Sequence, residues 1–136
     1  TGKRWFIPGS EKEYSDKSFS IIPGNPLEDC LLFADFVDAV HRNAKAKGWH
    51  DSPRSALEIH ALIHSEISEA TEECRNGKKD FYVENDKPEG EVVELVDAVI
   101  RIADYFGSKG WDLEKIIKEK MAYNEGRPYR HGGKYY

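Results

Sequence analysis

Cysteine is scarce in this chain of 136 residues: Cys30 and Cys74 stand far apart, which excludes a disulfide framework and suits a reducing compartment. Long apolar runs are absent too. Nothing approaches the ~20 residues of a transmembrane helix, and the N-terminus lacks a signal peptide's apolar segment. Both absences point to a cytoplasmic protein. Positive charge is not in excess, since the formal net charge is −5. That balance argues against a nucleic-acid or anionic-membrane partner, though a bound cation or a local basic cluster still permits an anionic substrate. What remains is ordinary for one soluble globular domain, with 39% hydrophobic and 33% charged residues.

Residues 1–26 contain Pro8, Gly9, Pro23, Gly24 and Pro26 without a sustained period, and read as an irregular arm. Trp5, Phe6 and Ile7 are apolar enough to pack on the body or on a partner subunit. Residues 27–136 read as one helical domain. Its first helix is expected from about Pro26 to Lys47, capped by Asn25 and closed by Gly48. A loop follows at Gly48-Trp49-His50-Asp51. The second helix takes Ser52 as cap and Pro53 as its first residue, and ends before Gly77. Residues 77–88 read as a polar loop with a Phe81-Tyr82-Val83 anchor. The third helix runs from about Pro88 to Lys109 with an apolar arc over half its circumference, and the fourth from Asp112 to about Asn124. Four amphipathic helices and no strand predict an all-α, four-helix bundle, and the broad arc predicts self-association.

Two short patterns carry the chemistry. Glu66 and Glu69 are three residues apart on the second helix, as are Glu94 and Asp97 on the third. Side chains at that spacing have Cβ atoms roughly 5–6 Å apart, so each pair can reach one ion. Like charges there are mutually unfavourable, and a cation reverses the sign. A single such pair is ordinarily a solvated face. Taking Ile59, Ile63, Ile67, Ala70 and Cys74 as the buried stripe, Glu66 flanks it and Glu69 lies further round. Glu94 and Asp97 fall nearly opposite Val92, Val96, Val99 and Ala103, so periodicity alone leaves them in water. His60 and His64 are four residues apart, but no Glu follows His60 and the metalloprotease pattern fails; packing roles fit better. No Glu-x-x-His pair supports a di-iron bundle.

These acids, followed by the run Lys120-Met121-Ala122-Tyr123-Asn124-Glu125-Gly126-Arg127-Pro128-Tyr129-Arg130-His131-Gly132-Gly133-Lys134, resemble the MazG-like all-α nucleoside triphosphate pyrophosphohydrolases over roughly residues 55–136. Members often carry Glu where Ser65 stands here. The resemblance implies a MazG-like bundle, homodimeric or tetrameric, and Mg²⁺-dependent cleavage between the α- and β-phosphates of a (deoxy)nucleoside triphosphate, with Mn²⁺ as a substitute. It implies Glu66, Glu69, Glu94 and Asp97 as metal ligands; the general base stays open, with Glu66 and Glu69 the candidates. Lys120, Asn124 and Arg127 are spaced for one helical face if the fourth helix persists that far, a face suited to phosphate oxygens or the sugar, with Arg130 beyond. His41 and Trp49 are candidates for a base pocket. Two other readings fit the same residues: hydrolysis of another nucleotide phosphoanhydride such as an alarmone, and a non-catalytic helical interaction module.

Overall fold

A computed structural model of the chain describes residues 33–130. The expected arm at 1–26, the start of the first helix, Cys30, His131 and Lys134 lie outside the described residues. Among the described residues there are four helices: α1 (Phe33–Ala46), α2 (Ala56–Arg75), α3 (Glu91–Lys109) and α4 (Leu113–Glu125). Two short strands, β1 (Tyr82–Glu84) and β2 (Lys87–Glu89), join α2 to α3. The fold is thus mostly helical, as the periodicity predicts, and the strand pair corrects the reading of residues 77–88 as loop.

That hairpin pairs Tyr82 with Glu89, Val83 with Pro88 and Glu84 with Lys87, antiparallel. Its two-residue turn is Asn85-Asp86, with φ of 49° and 63°. Tight hairpins need positive φ at both turn positions, and short polar side chains tolerate it by bonding locally. Pro88 therefore belongs to β2 and does not open a helix. Tyr82 Oη donates to Glu73 Oε2 at 2.9 Å, anchoring the hairpin on the end of α2.

The start of α3 is set by Gly90, whose φ of 113° is open to glycine and strained for other residues. A Cβ there would run into the Asp80 carbonyl, which accepts from Val92 N at 3.2 Å. The start of α2 also differs from expectation. Ser55, not Ser52, is the cap: Ser55 Oγ accepts from Glu58 N at 3.2 Å, and Ser55 N donates to Glu58 Oε2 at 2.7 Å. This reciprocal pair satisfies two otherwise orphaned donors, an advantage Ser52 lacks because no acid stands three residues on. Ser52 and Pro53 remain in the α1–α2 loop. At α4 the expected cap holds, with Asp112 Oδ1 accepting from Lys115 N at 2.9 Å.

α3 packs against both α2 and α1, α4 packs on α1, and β2 touches α3. The small apolar core joins Val37, Val40 and Ala103, with Phe36, Ile100, Phe106 and Leu113 against it. Elsewhere the faces depart from the periodicity. On α2, Ala70 is buried but Ile67 and Cys74 are exposed, while Glu66 is only 6% exposed. On α3, Glu94 and Ala98 are buried, whereas Leu95, Val96, Val99 and Ile102 face solvent. The reason is positional: α2 and α3 turn their acids toward each other, and this rotation carries the α3 valines outward. No described helix is long and apolar enough to cross a membrane.

Candidate functional site

Facing positions on α2 and α3 build an acidic cluster. Glu66 from α2 meets Glu94 and Asp97 from α3, with one oxygen of each lying within 4.8 Å of the others. Three of the four expected acids are therefore together. The fourth, Glu69, is exposed and lies outside that grouping; its Oε1 accepts from Ser65 Oγ at 3.2 Å.

Burial and mutual repulsion dominate the electrostatics. Removal from water pushes the Glu94 carboxyl above its ordinary range, and Glu69, Asp97 and Glu66 push it further. Asp97 is raised too, first by burial and then by Glu66, against opposing pulls from Arg101 and Lys87. Arg101 Nε donates to Glu66 Oε1 at 2.5 Å, so a guanidinium balances the most enclosed carboxylate. Lys87 on the hairpin pairs with Glu89 at 2.6 Å. An all-oxygen set of crowded acids fits a hard divalent cation such as Mg²⁺, whose charge would relieve this repulsion.

Beside the cluster is a cavity of about 230 Å³, lined among others by Trp49, His50, Arg54, Arg101, Asp104 and Tyr105. Arg101 thus serves both places. The Arg54 guanidinium lies 5.2 Å from the centre of the Trp49 ring. Of the two residues expected at a base pocket, Trp49 lines this cavity and His41 does not; His41 Nδ1 is 2.8 Å from Asp104 Oδ1. His60, exposed, lies edge-on to Tyr105 with ring centres 5.8 Å apart.

The basic residues of the C-terminal run lie over aromatic rings. Lys120 Nζ lies 4.9 Å from the Tyr123 ring centre, Arg127 5.7 Å from the same ring, and Arg130 5.6 Å from that of Tyr129. Arg127 follows the end of α4 at Gly126, so the helix does not carry it. Among the described residues, none of Lys120, Asn124, Arg127 and Arg130 bonds to the acids.

Sequence reasoning missed Arg101, Asp104, His50 and Arg54. A signal for the first two exists: Glu94, Asp97, Arg101, Asp104 and Ser108 recur at alternating steps of three and four, one continuous polar stripe on α3. His50 and Arg54 sit in a loop, where no period marks them.

Comparison with family models, curated proteins and solved structures returned no match.

Proposed function

We propose that the chain is a Mg²⁺-dependent pyrophosphohydrolase, cleaving the α–β phosphoanhydride of nucleoside triphosphates to monophosphate and pyrophosphate in the upkeep of cytoplasmic nucleotide pools. The observation that carries this reading is the convergence of Glu66, Glu94 and Asp97 next to Arg101 and the cavity. When bound, Mg²⁺ supplies neutralisation of phosphate oxygens and a more acidic attacking water. Glu66, Glu94 and Asp97 are its holders. Glu69, exposed and outside their grouping, would be the acid left free to take a proton from water there. Arg101, now on Glu66, would suit a phosphate oxygen with its planar fork if a cation took over the balancing of that carboxylate. At about 230 Å³ the cavity is smaller than the roughly 300–1,000 Å³ of sites for larger ligands. It suits one flat base between Trp49 and Tyr105. The assignment of Lys120, Asn124, Arg127 and Arg130 to the triphosphate or sugar rests on the C-terminal run alone.

We also propose a homodimer or dimer of dimers closing the exposed apolar face of α3. The deciding experiment for the activity is a nucleotide screen with Mg²⁺, reading pyrophosphate, with Asp97→Asn as control. Orthophosphate release, or silence across all nucleotides, would overturn the reading.

A further inference from the structure

We propose that His41, His50 and Asp104 form a second metal site, for a divalent transition metal of the zinc class, separate from the acidic cluster. Three elements supply it: α1 gives His41, the α1–α2 loop gives His50 and α3 gives Asp104. One ligand-capable atom from each lies within 4.8 Å of the others. Asp104 Oδ1 is 2.8 Å from His41 Nδ1 and 2.8 Å from His50 Nε2, so both imidazoles aim at one carboxylate oxygen. Asp104 Oδ2 is also in reach of His50, at 2.9 Å. The two rings stand edge to face, with centres 4.8 Å apart. All three side chains are partly buried, with 19%, 31% and 23% of their surface exposed.

The backbone makes room for this arrangement. A Cβ on Gly107 would lie 2.6 Å from His41 Cβ, so only a bare residue lets α1 bring that ring against α3. The donor set is chemically distinct from the acidic cluster. Two imidazole nitrogens and a carboxylate suit zinc, iron or nickel better than Mg²⁺, which prefers oxygen alone. Three protein ligands with a fourth position open is the arrangement of zinc sites that bind water or a ligand. Here His50 and Asp104 both line the cavity, so the open position faces it. Ligand atoms about a tetrahedral zinc with bonds of ~2.0–2.1 Å stand roughly 3.3 Å apart. The present N–O gaps of 2.8 Å would open by a few tenths of an ångström, with each ring binding as the neutral imidazole and its proton moved to the other ring nitrogen. The ion would pin the loop carrying Trp49 and Arg54 to α3.

The test is a titration of the chelator-stripped full chain with Co²⁺, reading the visible bands of four-coordinate cobalt, followed by displacement with Zn²⁺. Wild type should show the bands, and one equivalent of Zn²⁺ should erase them. His50→Ala and Asp104→Asn should each lose them, while Asp97→Asn, which touches only the acidic cluster, should keep them. His50 lies in a loop, so its variant remains informative even where Asp104→Asn fails to fold. Absent bands in wild type, retained bands in His50→Ala, or bands lost in Asp97→Asn would each overturn the site. The last two outcomes leave the pyrophosphohydrolase reading standing, because they concern a different set of ligands.

Discussion

Arg101 Nε approaches Glu66 Oε1 to 2.5 Å, across the α2–α3 interface and 35 residues apart in sequence. With Glu66 almost wholly enclosed, this guanidinium is what keeps a bare carboxylate tolerable between the helices. Breaking a fully buried pair by removing one partner is destabilising by about 3–5 kcal/mol. Arg101 is 33% exposed, so water softens the loss, and Arg101→Ala should destabilise the metal-free protein by ~1–2 kcal/mol. Mg²⁺ should then raise the melting temperature of the variant more than that of wild type, because the ion takes over the balancing role. Thermal melts with and without Mg²⁺ check this; equal Mg²⁺ shifts in the two proteins would count against it.

Asp97→Asn should abolish Mg²⁺-dependent turnover and raise the metal-free melting temperature. The pH dependence follows from the raised Glu94 and Asp97 carboxyls, whose ordinary values are 4.5 and 3.8. A folded value above the unfolded one means that the native state holds extra protons between the two. Their contribution to stability is fully present below the ordinary values and is lost as pH rises through the raised ones. The stability advantage of Asp97→Asn over wild type should accordingly widen across that window and then level off. Denaturation curves without metal, from acid to neutral pH, measure the gap; a constant gap would remove burial of Asp97 as its cause.

Arg127→Ala tests the basic run. A charge-assisted phosphate contact that strengthens in the transition state is worth roughly 10²–10³-fold in kcat/KM, and Arg127→Lys should recover only part. Wild-type kinetics in both variants would confine Arg127 to its stacking on Tyr123.

Gly90→Ala should be far more harmful than Gly77→Ala. Both positions have positive φ, 113° and 63°, but a Cβ meets the Asp80 backbone at Gly90 and nothing within 4 Å at Gly77. Backbone strain alone is worth about 1–3 kcal/mol, and the clash adds to it at Gly90. Because α3 begins there, Mg²⁺ affinity should fall as well. Urea denaturation and calorimetric titration of both variants compare the two sites.

Val99→Asp should leave the helical spectrum intact while dissociating the proposed oligomer, since Val99 lies 51% exposed among Leu95, Val96 and Ile102. Light scattering at micromolar concentration reads the mass. A wild-type monomer would dispose of the interface.

Much of this architecture was legible in the residues. Asp112, Gly77 and Gly110 mark ends that the structure keeps, because caps act locally and need no knowledge of the rest of the chain. Helix faces were less legible. Periodicity assumes that apolar stripes turn inward, yet Glu94 is buried and Val96 is not, because packing on α2 selects the face. Strands of three residues are too short to show alternation, which hid the hairpin. Of the acids, Glu66, Glu94 and Asp97 were found by spacing. Asp104 escaped, since its partners His41 and His50 lie 63 and 54 residues away and only the folded chain joins them.

The outward valines of α3 also bear on how the isolated chain responds to temperature. The heat-capacity change of unfolding comes largely from apolar surface newly exposed to water, typically ~12–15 cal/mol/K per residue in total. Leu95, Val96, Val99 and Ile102 are already substantially hydrated in the native chain and add little to that increment. The stability curve of a single chain should therefore be flatter than its length suggests, with heating and cooling acting weakly on either side of its maximum. Covering that face steepens the curve, so calorimetric curvature becomes a measure of how much of α3 is dry.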